Sequence, residues 1–452
     1  VPKTRTCNEL LSLLVKSNLL DMAWALYAEM FRLKIQSSVV TFNIMINVLC
    51  KQGKLKKAKE FIDSMEILGV KPDAITYNTL IHAFCCKNRV KSGLILFDLM
   101  KRKGIPPNSY TYGTLIGGMC KDGELEEASA MFEKMKENGL HPNAVIYNML
   151  MDGYCNKGDT EVAFGYKNEM TESGIRPNLS TYNMMIHAFL MEGKEDEANS
   201  LLKEMRESAI LPDSFTYNIL INGYCRSGNA KIAFTYYDEM LIKGIQPTRV
   251  TYTSLIYVLS KQRKMGEADS LFRRIMREGK SPDLVMFNAL IAGHCANGNM
   301  ERSFDLLAMM DEMNVTPDEV TFNTLMQGRC REGKVEDARK LFDEMKRRGI
   351  KPDCISYNTI ISGYSRRGDM GDAFRVRDEM LSIGFNPTLL TYNALIKGLC
   401  ETQKADLAEE LFKEMISKGI TPNDNTYVTM INGIGKGGGA VVESENCLSE
   451  SS

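Results

Sequence analysis

The sequence predicts an all-α protein, a right-handed superhelical solenoid of about twelve 35-residue helix-turn-helix repeats. Two series set the period. Proline recurs every 35 residues from Pro72 to Pro422 without one insertion, and methionine recurs in a second phase from Met30 to Met415, with Ile275 at its single gap. A third observation sets the contents: within each period, apolar residues fall at helical spacing. Unbroken periods of this size mark stacked supersecondary elements, each too small to bury its own apolar stripe.

Each repeat opens with a helix. In TFNIMINVLC, residues 41–50, Phe42, Met45, Ile46 and Leu49 follow the i, i+3, i+4, i+7 pattern of one buried face. Glycine interrupts the run at Gly53, and at Gly123, Gly158, Gly193, Gly228, Gly298, Gly333 and Gly368 in their repeats. A second helix follows, with Leu55, Ala58, Ile62 and Met65 along one stripe. The small residue of the Ala58 slot predicts close helix approach. Another glycine slot, first filled by Gly69, closes the second helix as a left-handed cap, and a proline three residues later prevents continuation. No strand is expected. Twelve whole repeats fit residues 4–423. Residues 1–3 are then an N-terminal remnant, 424–434 one more first helix capping the array, and 435–452 a flexible tail. The tail holds most of GIGKGGGA, residues 433–440. That run has a phosphate loop's glycines but not its Lys-Ser/Thr ending or its preceding strand.

Bulk composition excludes several classes. Of 452 residues 44% are apolar and 25% charged, which places the chain among folded proteins, and a net charge of −1 supplies no overall positive field. No apolar run approaches the roughly 18 residues of a membrane span. The chain opens at Val1 without methionine, which predicts that a preceding part, with any targeting segment, is missing. Twelve cysteines invite a disulfide or zinc reading, yet Cys50, Cys85, Cys120, Cys155, Cys225, Cys295, Cys330 and Cys400 all share one slot of the repeat. There is no C-x-x-C pair and only four histidines, so these read as small core residues in a reducing compartment. No catalytic constellation, metal site or cofactor is expected, and no small-molecule substrate. The acidic clusters GELEEA and GKVEDA read as exposed second-helix faces.

The stretch VTFNTLMQGRCREGKVEDARKLFDEMKRRGIKPD, residues 320–353, resembles a pentatricopeptide repeat. The 35-residue period favours that family over tetratricopeptide arrays, whose repeats run about 34. The resemblance extends over residues 4–423 and is to the plain class, built of 35-residue repeats alone; the first repeat is weaker, with Lys34 and Ser37 where glycine and proline would stand. It implies binding of single-stranded RNA in a plant organelle, one base per repeat. A mitochondrial location is slightly favoured over the chloroplast. Further expectations are a monomer, no membrane contact, no enzymatic activity, and other organelle RNA-processing factors as partners. A tetratricopeptide-like protein-binding scaffold is the alternative.

In that family two residues read each base, one following the first-helix aromatic and one closing the repeat. Mapped here, the pairs are Asn8 with Ser38, Asn43 with Asp73, Asn78 with Asn108, and Gly113 with Asn143. They continue as Asn148 with Asn178, Asn183 with Asp213, Asn218 with Thr248, and Thr253 with Asp283. The last four are Asn288 with Asp318, Asn323 with Asp353, Asn358 with Thr388, and Asn393 with Asn423. Ionised Asp only accepts hydrogen bonds and suits the N–H of uracil or guanine, whereas Asn or Ser can donate to the bare ring nitrogen of cytosine or adenine. The resemblance adds that Asn at the first position favours pyrimidines and Thr purines. The implied target is C-U-C-A-C-U-Y-G-U-U-Y-C, with Y a pyrimidine. Three residues before each reading position, Val40, Ile75, Tyr110, Val145, Phe215, Val250, Val285, Val320, Ile355 and Leu390 are expected to wedge between bases; Arg5 and Ser180 depart from that pattern. Lys51, Lys121, Arg226, Lys261, Arg331 and Arg366 share one phase at the end of the first helix and form an expected phosphate stripe. Against this, the asparagines could cap or bond backbone. Capping leaves the matched variation at the closing residue unexplained.

Overall fold

The computed structural model describes residues 3–437; residues 1, 2 and 438–452, with most of the expected tail, lie outside them. The described residues form 25 helices of 12–14 residues and no strand. Twenty-four helices alternate as first and second members of hairpins, from Thr4–Lys16 and Leu20–Arg32 to Leu389–Glu401 and Ala405–Ser417, and a last helix spans Asp424–Gly437. The chain divides into two compact units, Val1–Gly223 and Tyr224–Ser452, with the division inside the helix Ser214–Arg226. Each unit is a stack of hairpins in which a first helix packs against its own second helix and against the next first helix.

Every joint between these helices turns through the left-handed region. Gly53 has φ +74° and Gly69 +75°, and the chain closes each helix with paired bonds: Gly53 N–H to the Cys50 carbonyl and Lys54 N–H to that of Leu49, at 3.0 and 2.9 Å. Seven joints adopt the same conformation without glycine, at Asn18, Lys34, Asn88, Ala209, Arg263, Asn314 and Gln403. Lys34 thus turns in the weaker first repeat as a glycine would.

Burial follows the predicted slots. The methionines of the Met30 series and Ile275 are sealed from solvent, as are Ala58, Ala128 and Ala163 of the small slot. Between hairpins the second-helix aromatic meets the following first-helix aromatic edge-on: Phe97 with Tyr112 at 5.3 Å, and Phe342 with Tyr357 at 5.0 Å. The cysteines of the Cys50 slot are buried or half-buried between helices, whereas Cys86, outside that slot, is exposed. Burial pushes the thiols of Cys50, Cys85, Cys120, Cys155 and Cys225 up to about 12, which leaves them protonated and inert. They sit where neighbouring first helices nearly touch: a Cβ on Gly363 would meet Cys330 Sγ at 2.6 Å.

In the aromatic slot of the second helix Lys167 stands instead, 5% exposed, its Nζ 2.6 Å from Glu204 of the next hairpin. Lys103–Glu66 and Arg348–Asp311 join neighbouring second helices across the same 37-residue step. These ion pairs tie successive second helices together along the stack.

Candidate nucleic-acid interface

Closing residues stand at the start of each first helix, and there they have a structural duty: they are the N-caps. Asp73 Oδ1 accepts the backbone N–H of Thr76 at 2.9 Å, while the backbone N–H of Asp73 donates to Thr76 Oγ1 at 3.1 Å. This reciprocal capping box recurs at Ser38, Asn108, Asn178, Asp318, Asp353 and Thr388. The sequence argument misplaced the cap. It assigned capping to the reading asparagines as their alternative role and held the closing residues to be outside it. Ser, Thr, Asp and Asn vary at the closing position because these are the residues whose side-chain oxygen can cap a helix.

The reading asparagines bond side chains, forming a three-membered ring with the next repeat. Asn43 Nδ2 donates to Asp73 Oδ1 at 3.1 Å, and Thr76 Oγ1 donates to Asn43 Oδ1 at 2.6 Å. The ring repeats at Asn8, Ser38 and Thr41 (3.1 and 2.7 Å) and at Asn78, Asn108 and Thr111 (3.4 and 2.7 Å). In the second unit it joins Asn288, Asp318 and Thr321 (3.1 and 2.6 Å), Asn358, Thr388 and Thr391 (3.3 and 2.6 Å), and Asn393, Asn423 and Thr426 (3.4 and 2.6 Å). Thr181 and Thr216 hold Asn148 and Asn183 in the same way, each at 2.8 Å. Asn218 and Thr248 belong to different units.

Chemically, the ring divides each side chain into a committed atom and an offered one. Asp73 uses Oδ1 for the cap and for Asn43, and Oδ2 lies outside the ring. Burial works against ionisation of Asp73, but bonds from the Thr76 backbone and the Asn43 amide outweigh it and hold the carboxyl below its usual range. Asp353 is lowered by the same balance of burial against its bonds from Ser356 and Asn323. At Asn108 and Asn423 the committed atom is again Oδ1, bonded to Thr111 N–H at 3.0 Å and Thr426 N–H at 3.1 Å. Their offered atom is the NH2. Asp and Asn therefore differ only in the atom the cap does not use. Ser38 and Thr388 have one oxygen for both duties.

Two repeats depart from the ring. Gly113 has no reading side chain; Ile146 Cγ1 lies 3.2 Å from where its Cβ would stand. Around it, Tyr110, Gly117, Val145 and Met149 line a cavity of about 930 Å³. Thr253 donates its hydroxyl proton to the Arg249 carbonyl at 3.0 Å, so its oxygen remains as an acceptor, beside Asp283, whose Oδ1 caps the Met286 N–H at 2.9 Å.

The ten predicted wedge residues are all apolar and all 50–68% exposed, with Phe215 at 61% and Leu390 at the upper limit. Arg5, at the departing first position, pairs with Glu9. All six residues of the basic stripe are exposed. Lys51 Nζ donates to the Val15 carbonyl at 3.1 Å, and Lys261 Nζ lies 5.5 Å from the Tyr257 ring. The stripe has a seventh member that sequence reasoning missed, Lys16 at the end of the first helix, and the 35-residue phase itself was the signal for it. The threonines of the ring were missed as well.

Sequence comparison places nearly the whole chain in a known family. Residues 2–51, 37–86, 73–121, 111–145, 142–191, 177–226, 212–261, 282–330, 317–358, 352–401 and 387–436 match the PPR repeat family, and residues 250–279 match a PPR repeat. A 44-residue stretch is 55% identical to a mitochondrial pentatricopeptide repeat-containing protein of Arabidopsis thaliana; it is 10% of this chain and 7% of that protein's length. The crystal structure of the pentatricopeptide repeat protein PPR10 from maize aligns with TM-score 0.67 at 27% identity, over 96% of this chain and 72% of that one. PPR10 in complex with an 18-nt psaJ RNA element aligns with TM-score 0.54 at 24% identity, over 96% and 77%.

Proposed function

The chain belongs to the PPR repeat family, and on that premise we propose that it binds single-stranded RNA, one base per repeat, without catalysing a reaction on it. The ligand class comes from the RNA-bound maize PPR10 structure. One observation carries the reading: each ring spends one set of polar atoms on the fold and offers a second set that varies from repeat to repeat. An Asn–Asp ring such as Asn43 with Asp73 offers one N–H and one acceptor, which match an oxygen and the N3–H of uracil. An Asn–Asn ring such as Asn78 with Asn108 offers donors to the N3 and an oxygen of cytosine. Thr253 and Asp283 offer two acceptors, which suit the N1–H and N2–H groups of guanine.

The exposed apolar wedges supply stacking, on the order of 1–3 kcal/mol per base on comparable platforms, and the basic stripe supplies phosphate contacts. The proposed target, read from the N-terminus to the 5′ end, is C-U-C-A-C-U-Y-G-U-U-Y-C. Bound RNA is shielded from exonucleases and held out of secondary structure, so the consequence is stabilisation, processing or translational control of an organelle transcript. A mitochondrial or chloroplast location goes with it, the mitochondrion favoured. The deciding measurement is the affinity for this 12-mer against a scrambled permutation at fixed salt. Strong preference for the ordered sequence is expected, and equal affinity overturns the reading.

A further inference from the structure

An asparagine amide can serve a base only if its two ends are held one way round, because reversing it exchanges a donor for an acceptor. The capping box does this holding. Thr76 Oγ1 accepts the backbone N–H of Asp73 at 3.1 Å, so its single proton leaves in another direction. Two acceptors are in reach, Asn43 Oδ1 at 2.6 Å and Asp73 Oδ1 at 2.9 Å. The second already receives the N–H groups of Thr76 and Asn43, and the nearer one takes the proton. The carbonyl of Asn43 is thereby turned to Thr76 and its NH2 to Asp73.

The sequence carries the imprint of this dependence. Wherever the reading position is Asn, the residue 33 places later is Thr or, once, Ser. At the two positions where it is not Asn, Gly113 and Thr253, the later residue is Ile146 and Met286. One repeat shows the arrangement half made. Ser356 Oγ lies 2.8 Å from Asp353 Oδ1 and 3.9 Å from Met345 Sδ, and Asn323 Oδ1 is left buried without a partner.

We propose that the base preference of a repeat is set by three residues in two successive repeats, the third being the threonine that orients the reading asparagine. Thr41, Thr76, Thr111, Thr321, Thr391 and Thr426 are positioning residues, and the letter of one repeat is written partly in the next. This rests on the base-reading proposal above.

The test uses the full chain and 12-mers of the proposed sequence varied at bases eight and ten, which face Thr253 with Asp283 and Asn323 with Asp353. Thr253→Asn alone sets an amide carbonyl against the apolar Met286; it loses the preference for guanine without gaining one for uracil. Thr253→Asn with Met286→Thr restores the proton donor and prefers uracil over guanine by about tenfold or more, the scale of one paired base contact. Ser356→Thr supplies the missing partner of Asn323 and sharpens the uracil-over-cytosine ratio at base ten several-fold, with no loss of melting temperature. A single Thr253→Asn variant that prefers uracil as strongly as the double overturns the proposal. So does a Ser356→Thr protein with unchanged selectivity, which also decides the matter where the double variant, altering a buried methionine, fails to fold. Wild-type protein that shows no base preference at either position sinks the base-reading proposal itself and this one with it. Discrimination by the wild type with no response from the variants sinks this one alone.

Discussion

Asp318→Asn is the substitution that best separates fold from reading. Asp318 Oδ1 accepts the Thr321 backbone N–H at 2.9 Å and the Asn288 amide at 3.1 Å. Asn in the same place keeps both bonds, as Asn423 does at 3.1 and 3.4 Å. Asn and Asp are near-equal N-caps, so stability is expected to move by no more than about 0.5 kcal/mol. The offered atom, however, changes from acceptor to donor. Uracil at base nine loses a hydrogen bond to a charged group, worth roughly 1.5–3 kcal/mol, and meets a donor with its own N–H. Cytosine gains a donor for its bare N3. A shift of about 2 kcal/mol between the two bases, the low end because the groove faces water, changes the uracil-to-cytosine affinity ratio about thirtyfold. Fluorescence anisotropy with two labelled 12-mers differing only at base nine, at one salt concentration, reads this directly. Asp318→Ala is the control: it loses the cap, about 0.5–2 kcal/mol of stability, together with both preferences. An Asp318→Asn protein with wild-type melting and a wild-type base ratio would show that the offered atom does not face a base.

Four further outcomes follow from the same geometry. Phe215→Ala removes a 61% exposed wedge and should weaken RNA binding about tenfold, within the range for one stacked base, while thermal unfolding is unchanged. Titrating salt should give a log–log affinity slope of about −5 from seven phosphate contacts, and Lys261→Ala should reduce it by about 0.7. Ala209→Gly relieves a left-handed alanine at φ +59°, a conformation that costs about 1–2 kcal/mol, against about 0.4–1 kcal/mol of added unfolded-chain entropy. Urea unfolding should then show a net gain near 0.5–1 kcal/mol. Burial opposes the charge of Glu278, but bonds from Lys280, Tyr252 and Arg274 hold its carboxyl down at about 2. A carboxyl lowered in the folded state adds stability above its ordinary range, and that contribution is lost as pH falls from about 4.5 towards 2. Glu278→Gln should remove this part of the acid dependence, and urea midpoints at about pH 5 and pH 3 should differ less than in the wild type.

What the sequence revealed and what it hid divide along a physical line. Slots dominated by one residue type were legible: methionine fills its slot in eleven of twelve repeats and cysteine in eight, the Ala58 slot keeps a small residue, and a period exposes them. Conformations that do not depend on residue type were not. Nothing in the letters Lys34, Arg263 or Gln403 announces a left-handed joint, whereas Asn18, Asn88 and Asn314 do; the hairpin imposes it because the stack requires the turn. The ring was hidden for another reason. Its bonds join residues 30 and 33 apart, such as Asn43 with Asp73 and Thr76, so no local window contains all three. Capping is normally sought between neighbours, and the asparagine drew attention because it recurs at ten of the twelve reading positions. The residue that caps varies among Ser, Thr, Asp and Asn.

That division of labour bears on how sharply each repeat can read. An Asp or Asn at the closing position has two terminal atoms, and the cap takes Oδ1 in both cases, so a letter can change while the helix start stays as it was. A hydroxyl residue has a single oxygen. Ser38 Oγ accepts from Asn8 and from the Thr41 backbone, and Thr388 Oγ1 accepts from Asn358 while lying 3.3 Å from Thr391 Oγ1. What such a residue can offer a base is limited by what the cap and the asparagine have already taken. The repeats closed by Ser38 and Thr388 should therefore discriminate less than those closed by Asp73 or Asn108. Thr388→Asp, by adding a second oxygen outside the ring, should raise the preference for uracil at base eleven without altering the start of the helix Leu389–Glu401. If measured selectivity at that base is already as strong in the wild type as at base two, the single-oxygen limit is wrong, and the closing residue must reach the base by some route other than the atom its cap leaves over.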